Sequence, residues 1–358
     1  VIFFSVTSGI AAIGDVQRLK RIGSKVVIVY FLMTVIACIV GIVMVNITHP
    51  GVGFTLDNMQ AFDTSKVKTP SFVNFLFDMV PVNIVDSMAK NQIMQMIFFT
   101  VLVGVALVSL GEKVAGVTKI FDQCASIIYK MLDIVMLYSP IGVLALMANT
   151  TAVFGPKLFG VLAKFVFTDW VGCLLIWFFF SGIVWLYTKV NYLEMCKSMI
   201  PIWVNTIATN SSAGTIPITL NVTTERLKVP MSIASFSIPL GATINLTGAA
   251  LYKTILAFFV AEIYGLQLTI DQILMVIIIS TIMSIAAPGI PGGGIVTGAI
   301  FLNLLGLPMD LMGPIAGMYR LIDMSHTTVN VSGDVLGTML VAKNENIWTG
   351  EDFNKTLV

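Results

Sequence analysis

The sequence has 358 residues, of which 57% are hydrophobic and 11% are charged. A soluble domain carries about 25% charged residues, so this chain is too poor in charge to cover a surface that faces water. Its 20 Lys+Arg against 19 Asp+Glu give a net charge of +1, which argues against the basic footprint of a nucleic-acid binder. The four cysteines show no C-x-x-C spacing and indicate neither a zinc site nor a disulfide framework. We therefore expect an all-α, multi-pass protein of the cell (plasma or inner) membrane, surrounded by the lipid bilayer.

Runs without a formal charge locate the predicted spans, because about 20 apolar residues cross the hydrocarbon core as a helix. Such runs cover residues 26–56, 170–188 and 272–309. Further candidates lie near residues 93–110, 125–148, 229–261 and 311–342. The opening residues are typical of the end of a helix, whose beginning we expect to precede Val1. A basic cluster predicts that the following loop is cytoplasmic; it contains Arg18, Lys20, Arg21 and Lys25.

Two apolar regions are interrupted by residues that do not favour a continuous helix. Residues 205–218 read NTIATNSSAGTIPI, and residues 284–294 read SIAAPGIPGGG. Proline removes a backbone donor and glycine favours a broken backbone. Non-helical backbone at membrane depth persists only inside protein or beside a wet cavity. The pattern predicts two re-entrant hairpins, with Pro-kinked helices or external loops as the alternative.

A short repeat follows the two interrupted regions. Residues 243–248 and 328–333 share the pattern T-[IV]-N-[LV]-[TS]-G at a separation of 85 residues. Secondary transporters build midplane sites from such internal repeats. The sequence does not say whether the two copies are inverted.

The last predicted span carries polar residues within about 120° of one helix face. They are Arg320, Asp323, His326, Thr327, Asn330 and Asp334. Charged groups at membrane depth mark ion or substrate paths. Arg320 and Asp323 could neutralise each other at i,i+3, but Asp334 has no basic residue within a turn. A bound sodium ion would balance the Asp334 carboxylate.

Other mechanisms find less support in the sequence. It contains no G-x-x-x-x-G-K-[ST] loop for an ATP-driven pump and no H-E-x-x-H zinc motif. We therefore expect neither an enzyme nor a cofactor beyond coupling ions. An ion channel remains the competitor from another class, although filters favour rings of carbonyls or acids.

Six segments together resemble the dicarboxylate/amino acid:cation symporter family, which includes glutamate transporters and archaeal aspartate transporters. They read QRLKRIGSK, YSPIGVLALMA, NSSAGTIPITL, PLGATINLTGAALY, GIPGGG and DMSHTTVNVSGD. The resemblance covers essentially the whole chain. It implies a glutamate-transporter-like fold of eight helices and two re-entrant hairpins with inverted repeats, a homotrimer, and an elevator-like transport domain. It also implies that one span and part of the next are absent before Val1.

The resemblance implies a layout in chain order. It comprises a scaffold-helix end and cytoplasmic loop (1–25), a transport-domain helix (26–50), scaffold and trimerisation helices (51–153), a transport-domain helix (154–190), re-entrant hairpin 1 (191–227), a broken helix with the NLTG motif (228–265), re-entrant hairpin 2 (266–309), a polar helix (310–343) and a cytoplasmic tail (344–358).

The resemblance also implies binding residues. Those around a bound amino acid are Ser211, Ser212, Ile290, Gly294, Asp323, His326, Thr327 and Asn330, with Asp323 on the α-amino group. One sodium site would use Asp334 with carbonyls of Gly241, Asn245 and Asn330. A second, mostly of carbonyls, would use Thr243, Ser284, Ile285 and Ala287. Oxygen ligands suit a hard cation.

Departures from the family pattern concern the substrate and the third ion. His326 stands where acidic-substrate members carry an arginine, and Ala249 replaces a threonine. Imidazole does not reproduce the bidentate fork of a guanidinium, although Arg320 lies one turn away as a possible charge partner. Thr247 replaces an aspartate of a third sodium site and Met33 another ligand. Tyr30 and Thr34 still fit that weakened site.

These observations predict a sodium-coupled symporter of neutral or polar amino acids, with two sodium ions and a doubtful third, or one sodium ion plus a proton on His326. An acidic amino acid or dicarboxylate symporter coupled to sodium or protons is the alternative.

Overall fold

The computed structural model describes residues 2–11, 22–53, 79–90, 92–138, 157–285 and 291–355, with Gly289 and isolated positions between residues 77 and 152. The described elements are helical, as the composition predicts. In chain order they are α1 (Ile2–Ala11), α2 (Ser24–Thr48), α3 (Ile84–Ala89), α4 (Ile93–Leu110), α5 (Ala115–Met136), α6 (Lys157–Thr188), α7 (Tyr192–Thr209), α8 (Ser212–Asn221), α9 (Met231–Ile244), α10 (Thr247–Ile263), α11 (Ile270–Ile285), α12 (Gly293–Leu304), α13 (Met312–Asn344) and α14 (Gly350–Asn354). A 3₁₀ turn (Gly111–Val114) joins α4 to α5, and a π turn (Val222–Arg226) follows α8.

Within the described residues, four helical segments are long and apolar enough to cross a membrane. They are Ser24–Thr48, Gln95–Ile128, Leu158–Thr188 and Met231–Ile263. These segments overlap the spans predicted from charge-free runs. The Met231–Ile263 segment is almost wholly buried in protein, so it lies at the centre of the molecule.

The first interrupted region folds as a helix, a tight turn and a second helix. α7 ends at Thr209, and its C-cap Asn210 has a left-handed backbone (φ 52°). Ser211 then caps α8 by accepting a hydrogen bond from the Gly214 N–H at 3.0 Å. The break expected in residues 205–218 therefore lies at Asn210–Ser211, while Pro217 is inside α8. Whether this pair of helices is re-entrant remains a prediction.

The second interrupted region also separates two helices. α11 ends at Ile285, and α12 begins after Gly292, which has a φ of 74° that favours glycine. The two turns meet, because the Ala213 N–H donates to the Gly289 carbonyl at 3.3 Å. Ala287 and Ile290 lie outside the described residues.

The two copies of the repeat have different backbones. In the first copy Asn245 and Leu246 are non-helical and separate α9 from α10. In the second copy α13 continues without interruption. α10 and α13 pack together and against α2 and α6, so the core surrounds the two repeats.

A separate group of helices forms beside this core. α1 packs on α4 and α5, and α3 packs on α4. The main described link to the core is a contact of α1 with α9. This grouping resembles the expected scaffold and transport parts, whose relative motion stays a prediction. The basic loop residues Arg18, Lys20 and Arg21 lie outside the described residues.

Candidate functional site

A small polar pocket lies where the two turns approach α13. Its wall includes most of the predicted substrate residues. The lining consists of Asn210, Ser212, Leu246, Ala249, Gly289, Gly294, Thr297, Tyr319, Asp323, His326, Thr327 and Asn330. The cavity has a volume of about 20 Å³, which is close to the room of one water molecule. The pocket as it stands is too small for a ligand of amino-acid size.

A larger cavity of about 270 Å³ lies between α6, α7 and α13. Its wall is almost entirely apolar, with Trp170, Trp177 and Trp203 among its residues. Ligand sites combine apolar walls with a few convergent polar groups. The smaller pocket has such groups, so it is the candidate site.

Asp323 is held at the second turn by a backbone donor. Its carboxylate accepts the Gly292 N–H at 3.0 Å. Gly292 is the N-cap of α12, where the helix dipole favours a negative charge. Asp323 is 7% exposed, which leaves its remaining acceptor capacity for a ligand in the pocket.

The close approach of α12 to α13 depends on Gly294. A Cβ atom at this position would lie 1.7 Å from the Tyr319 hydroxyl oxygen. A side chain at position 294 would collide with Tyr319, so the glycine there permits the close approach of α12 to α13 beside Asp323.

Arg320 points away from Asp323. Its Nη2 donates to the Ala208 carbonyl at 3.0 Å, and its own carbonyl accepts from the Asn210 side chain at 3.0 Å. Among the contacts of the described residues, no ion pair joins Arg320 to Asp323. The guanidinium thus anchors α13 to the end of α7.

His326 is paired with an acid that the sequence analysis did not identify. Its Nε2 lies 2.8 Å from Oδ1 of Asp169 in α6, and the two side chains are 1% and 0% exposed. Asp169 also accepts the Ser325 hydroxyl at 3.1 Å, and the Cys173 thiol lies 4.0 Å from the same oxygen. Both carboxylate oxygens are therefore engaged. The polar atoms of Asp169, Cys173 and His326 lie within 4.8 Å of one another, which is close enough for a shared metal ion. We interpret the cluster instead as a hydrogen-bonding centre that orients the imidazole.

The other nitrogen of His326 has no hydrogen-bond partner among the described residues. The nearby hydroxyl of Tyr252 also lacks one, and its ring lies 5.3 Å from the imidazole. Buried polar groups are nearly always hydrogen-bonded. His326 belongs to the pocket wall, so its unpartnered nitrogen leaves a place for a polar group of a ligand.

Asp169 determines what His326 presents to the pocket. If Asp169 is ionised, its carboxylate only accepts hydrogen bonds, and Nε2 of His326 then carries the proton. Neutral His326 therefore offers Nδ1 as a bare acceptor. A second proton converts Nδ1 into a charged donor.

The remaining predicted substrate residues surround this arrangement. Ser212 and Thr327 are buried in the pocket wall, and Ser211 donates to the Gly289 carbonyl at 3.3 Å. Asn330 points its Oδ1 to the Gly248 N–H at 2.7 Å. Asn330 thus organises the first copy of the repeat as well as lining the pocket.

The residues of the first predicted sodium site converge. Asp334 is 1% exposed, and its Oδ1 accepts from the Asn245 side chain at 2.8 Å. A Cβ atom on Gly241 would lie 2.4 Å from the same oxygen, so the backbone of α9 approaches the carboxylate closely. Among the described residues no ion pair neutralises Asp334. A buried carboxylate without a basic partner, beside the backbone of a helix end, fits a cation.

The hydroxyl groups of the third predicted site are all engaged in hydrogen bonds. Tyr30 donates to the Ser237 and Asp334 carbonyls at 3.1 Å. Thr34 bonds to the Tyr30 carbonyl at 2.9 Å, and Thr247 bonds to Asn245 Oδ1 at 2.8 Å. The hydroxyl groups do not replace the carboxylate that the third sodium site lacks. The third site therefore stays doubtful.

The second predicted sodium site is only partly described. Thr243 donates to the Leu240 carbonyl at 2.7 Å, and Ser284 is fully buried. The side chain of Ile285 and the whole of Ala287 lie outside the described part. Ser284 accepts a hydrogen bond from Lys253, a residue that the sequence analysis did not identify.

The missed residues left a signal in the sequence. Asp169 directly precedes the charge-free run 170–188, and Lys253 lies inside the predicted span 229–261. Ionisable residues at membrane depth are functional candidates by default. The same rule that selected Asp323 and Asp334 therefore applies to both.

Comparisons with known proteins agree on one family. Residues 1–344 match the model described as the Sodium:dicarboxylate symporter family. A proton/glutamate-aspartate symporter of Bacillus subtilis (strain 168) is 30% identical over 358 residues, covering 99% of this chain and 86% of the relative. The corresponding Escherichia coli (strain K12) protein is 32% identical over 356 residues, with 97% and 81% covered. A C4-dicarboxylate transport protein of Bacillus subtilis (strain 168) is 30% identical over 355 residues, with 97% and 83% covered. The resemblance in the sequence is thereby confirmed, and the chain belongs to the sodium:dicarboxylate symporter family of membrane transporters.

Proposed function

We propose that the protein is a secondary active symporter of an acidic amino acid or dicarboxylate, and that His326 binds one substrate carboxylate as an imidazolium ion. This is the alternative of the sequence analysis rather than its main prediction. The relatives named above carry glutamate, aspartate or C4-dicarboxylates, which favours acidic substrates over neutral ones.

The observation that carries the proposal is the Asp169–His326 pair. A neutral His326 would face a carboxylate with a bare acceptor, and two acceptors repel. A protonated His326 offers a charged donor, while Asp169 keeps the buried positive charge balanced. Binding of an acidic substrate therefore requires a proton at Nδ1. His326 would then take the place of the arginine expected in acidic-substrate members. Unlike an arginine, it carries a positive charge only when it is protonated.

Asp323 defines the other end of the substrate. Its carboxylate suits an α-amino group, as the resemblance implies. A dicarboxylate without that group would gain nothing from Asp323. The site thus fits an acidic amino acid better than a simple C4-dicarboxylate.

Coupling and motion follow the family pattern in this proposal. Asp334 with Asn245 and Gly241 would hold one sodium ion, whose positive charge balances the buried carboxylate. The core helices α2 and α6–α13 would move as the transport domain against a trimeric scaffold that includes α1, α4 and α5. Separation of the two turns would open the pocket.

A neutral amino acid is the second candidate, and the same histidine supports it. With Nε2 held by Asp169, neutral His326 accepts a hydrogen bond from a hydroxyl such as that of serine. Ala249, which is 8% exposed at the pocket, contributes no polar group. The two candidates differ in their response to pH.

The test uses purified protein in liposomes with a sodium gradient and measures uptake of aspartate, succinate and serine from pH 7.5 to 5.5. If one proton accompanies each acidic substrate, aspartate affinity rises by up to about tenfold per pH unit. His326→Gln should abolish that rise. The matched control is His49→Gln, because His49 is the only other histidine and lies 2.9 Å from Glu262 at an exposed position.

Three outcomes separate the candidates. Aspartate uptake that strengthens on acidification in the unmodified protein and His49→Gln, but not in His326→Gln, supports the proposal. Serine uptake above aspartate uptake throughout this pH range would support the neutral candidate. Steady conductance without substrate would favour a channel.

A further inference from the structure

Lys253 lies in the centre of the molecule and is 0% exposed. It belongs to α10, seven positions into the helix that follows the broken NLTG motif. Its Nζ donates to the Ala249 carbonyl at 3.2 Å and to the Ser284 hydroxyl at 3.2 Å. The side chain therefore joins α10 to α11 within the core.

The partners of Lys253 are neutral oxygen atoms. Other described lysines form ion pairs near the surface, as Lys197 does with Glu194. Within the described part of the chain, Lys253 forms no ion pair. A positive charge surrounded by a carbonyl and a hydroxyl has the ligand set of a hard cation site. Such a charge at membrane depth is costly, and residues of this kind mark functional positions.

This position coincides with the second sodium site that the family resemblance implies. Ser284 belongs to that predicted site, and its hydroxyl is bonded to Lys253. A sodium ion bound to Ser284 would lie close to the Lys253 ammonium group, because both would contact the same residue. Like charges repel strongly at such distances when water is excluded. The residues present therefore do not fit a sodium ion at this place.

We propose that the Lys253 ammonium replaces the second coupling ion, as a cation tethered to the chain. The inference rests on the proposed symport function, because a coupling ion has meaning only in a transporter. α11 is then tied to α10 by a permanent contact instead of by a sodium ion that arrives from solution. The protein would bind one sodium ion fewer than a relative with two sodium sites.

The test counts sodium ions directly, without substrate. Equilibrium binding of ²²Na⁺ to purified protein would be compared for the unmodified protein, Lys253→Met and Lys253→Gln. The glutamine variant keeps a hydrogen-bond donor for Ser284 and protects the experiment against a packing defect. Lys197→Met, at an exposed lysine, is the matched control.

The inference predicts one saturable sodium ion per protomer in the unmodified protein and in Lys197→Met. Removal of the ammonium should add one further ion, and the double variant Lys253→Met/Ser284→Ala should lose it again. An unchanged sodium count in both Lys253 variants, or two ions in the unmodified protein, would overturn the inference. Should neither variant fold, the count for the unmodified protein decides.

Failure of the symport proposal would look different. It would appear as absent or pH-independent aspartate uptake, whatever the sodium count. A normal uptake profile with an unchanged count in the Lys253 variants would instead reject the tethered cation alone.

Discussion

The two copies of the T-[IV]-N-[LV]-[TS]-G repeat share a sequence pattern but differ in backbone. The copy at residues 243–248 interrupts the chain between α9 and α10, whereas the copy at 328–333 lies inside the continuous helix α13. The proposed cation site would take backbone groups from the broken copy and a carboxylate from the helix of the continuous copy.

The two copies stabilise each other through their asparagines. Asn330 of the continuous copy accepts the Gly248 N–H of the broken copy at 2.7 Å. It acts as an N-cap for α10, a role that a neighbouring Ser, Thr or Asp normally takes. In return, Asn245 of the broken copy donates to Asp334 at 2.8 Å. A six-residue pattern therefore does not determine its own backbone, because the surroundings supply the missing partners.

The largest expected effect comes from removing the charge beside the broken copy. In Asp334→Asn the amide cannot balance a cation, so the half-saturating sodium concentration should rise about 100-fold, or about 2.7 kcal/mol. Sodium-dependent aspartate uptake measures this change. Asp310→Asn is the control, since Asp310 accepts a hydrogen bond from Tyr264 at an exposed position. An unchanged half-saturating sodium concentration in Asp334→Asn would show that Asp334 does not bind the cation.

The glycines that end the two copies provide a direct comparison. A Cβ on Gly248 would lie 2.6 Å from the His326 Cα atom, whereas one on Gly333 would meet the ends of two side chains, Asn245 Nδ2 at 2.9 Å and Met33 Cε at 3.1 Å. Backbone cannot yield as side chains do. Gly248→Ala should therefore cost about 1–3 kcal/mol and weaken aspartate binding by displacing His326.

Gly333→Ala should cost clearly less stability than Gly248→Ala, because the ends of the two side chains can shift and alanine favours the helix by up to about 1 kcal/mol over glycine. Thermal unfolding of the two variants in the same detergent measures the difference. Equal losses of stability would mean that the two copies are packed alike, contrary to the structure.

We expect the weakest effect from removing a local helix cap at the start of α14, in contrast to the cap that Asn330 provides for α10 from the other copy of the repeat. At the start of α14, the Asp352 carboxylate accepts the Thr349 N–H at 2.8 Å and its hydroxyl at 2.9 Å. These hydrogen bonds hold the pKa of Asp352 below its ordinary value. Ionised Asp352 therefore stabilises the folded state fully at pH values above its ordinary pKa, near 4. This stabilisation is lost as the pH falls through the lowered pKa of Asp352 in the folded protein.

Asp352→Asn should cost about 0.5–1 kcal/mol, confined to residues 349–354. Amide hydrogen exchange at pH 7 should be faster in that segment and unchanged in α10. Glu351→Gln is the control, because Glu351 takes no part in the capping box. Equal exchange in Asp352→Asn and the unmodified protein would show that the cap is not stabilising.

Local sequence signals predicted much of the fold. Charge-free runs identified helices that are long enough to span a membrane, and the polar and Gly/Pro-rich stretches coincide with the turns at Asn210–Ser211 and before α12. Asp323, Asp334 and His326 were selected because polar residues on one face of an apolar helix need partners. These signals depend on neighbours within a few turns.

The partners themselves could not be predicted in this way. Asp169 meets His326 across 157 positions of sequence, and Lys253 meets Ser284 across 31. Only the packing of α6 on α13 and of α10 on α11 creates these pairs. The prediction of a neutral substrate followed from His326 and Ala249, without the acidic partner of His326.

In the proposed function, an acidic substrate binds together with a proton on His326. The most direct test is to add aspartate to purified protein with sodium in weakly buffered solution at pH 7.5 and to measure the protons taken up. We expect uptake approaching one proton per bound aspartate in the unmodified protein, and no proton uptake in His326→Gln. Aspartate binding without proton uptake in the unmodified protein, or with the same uptake in His326→Gln, would contradict it.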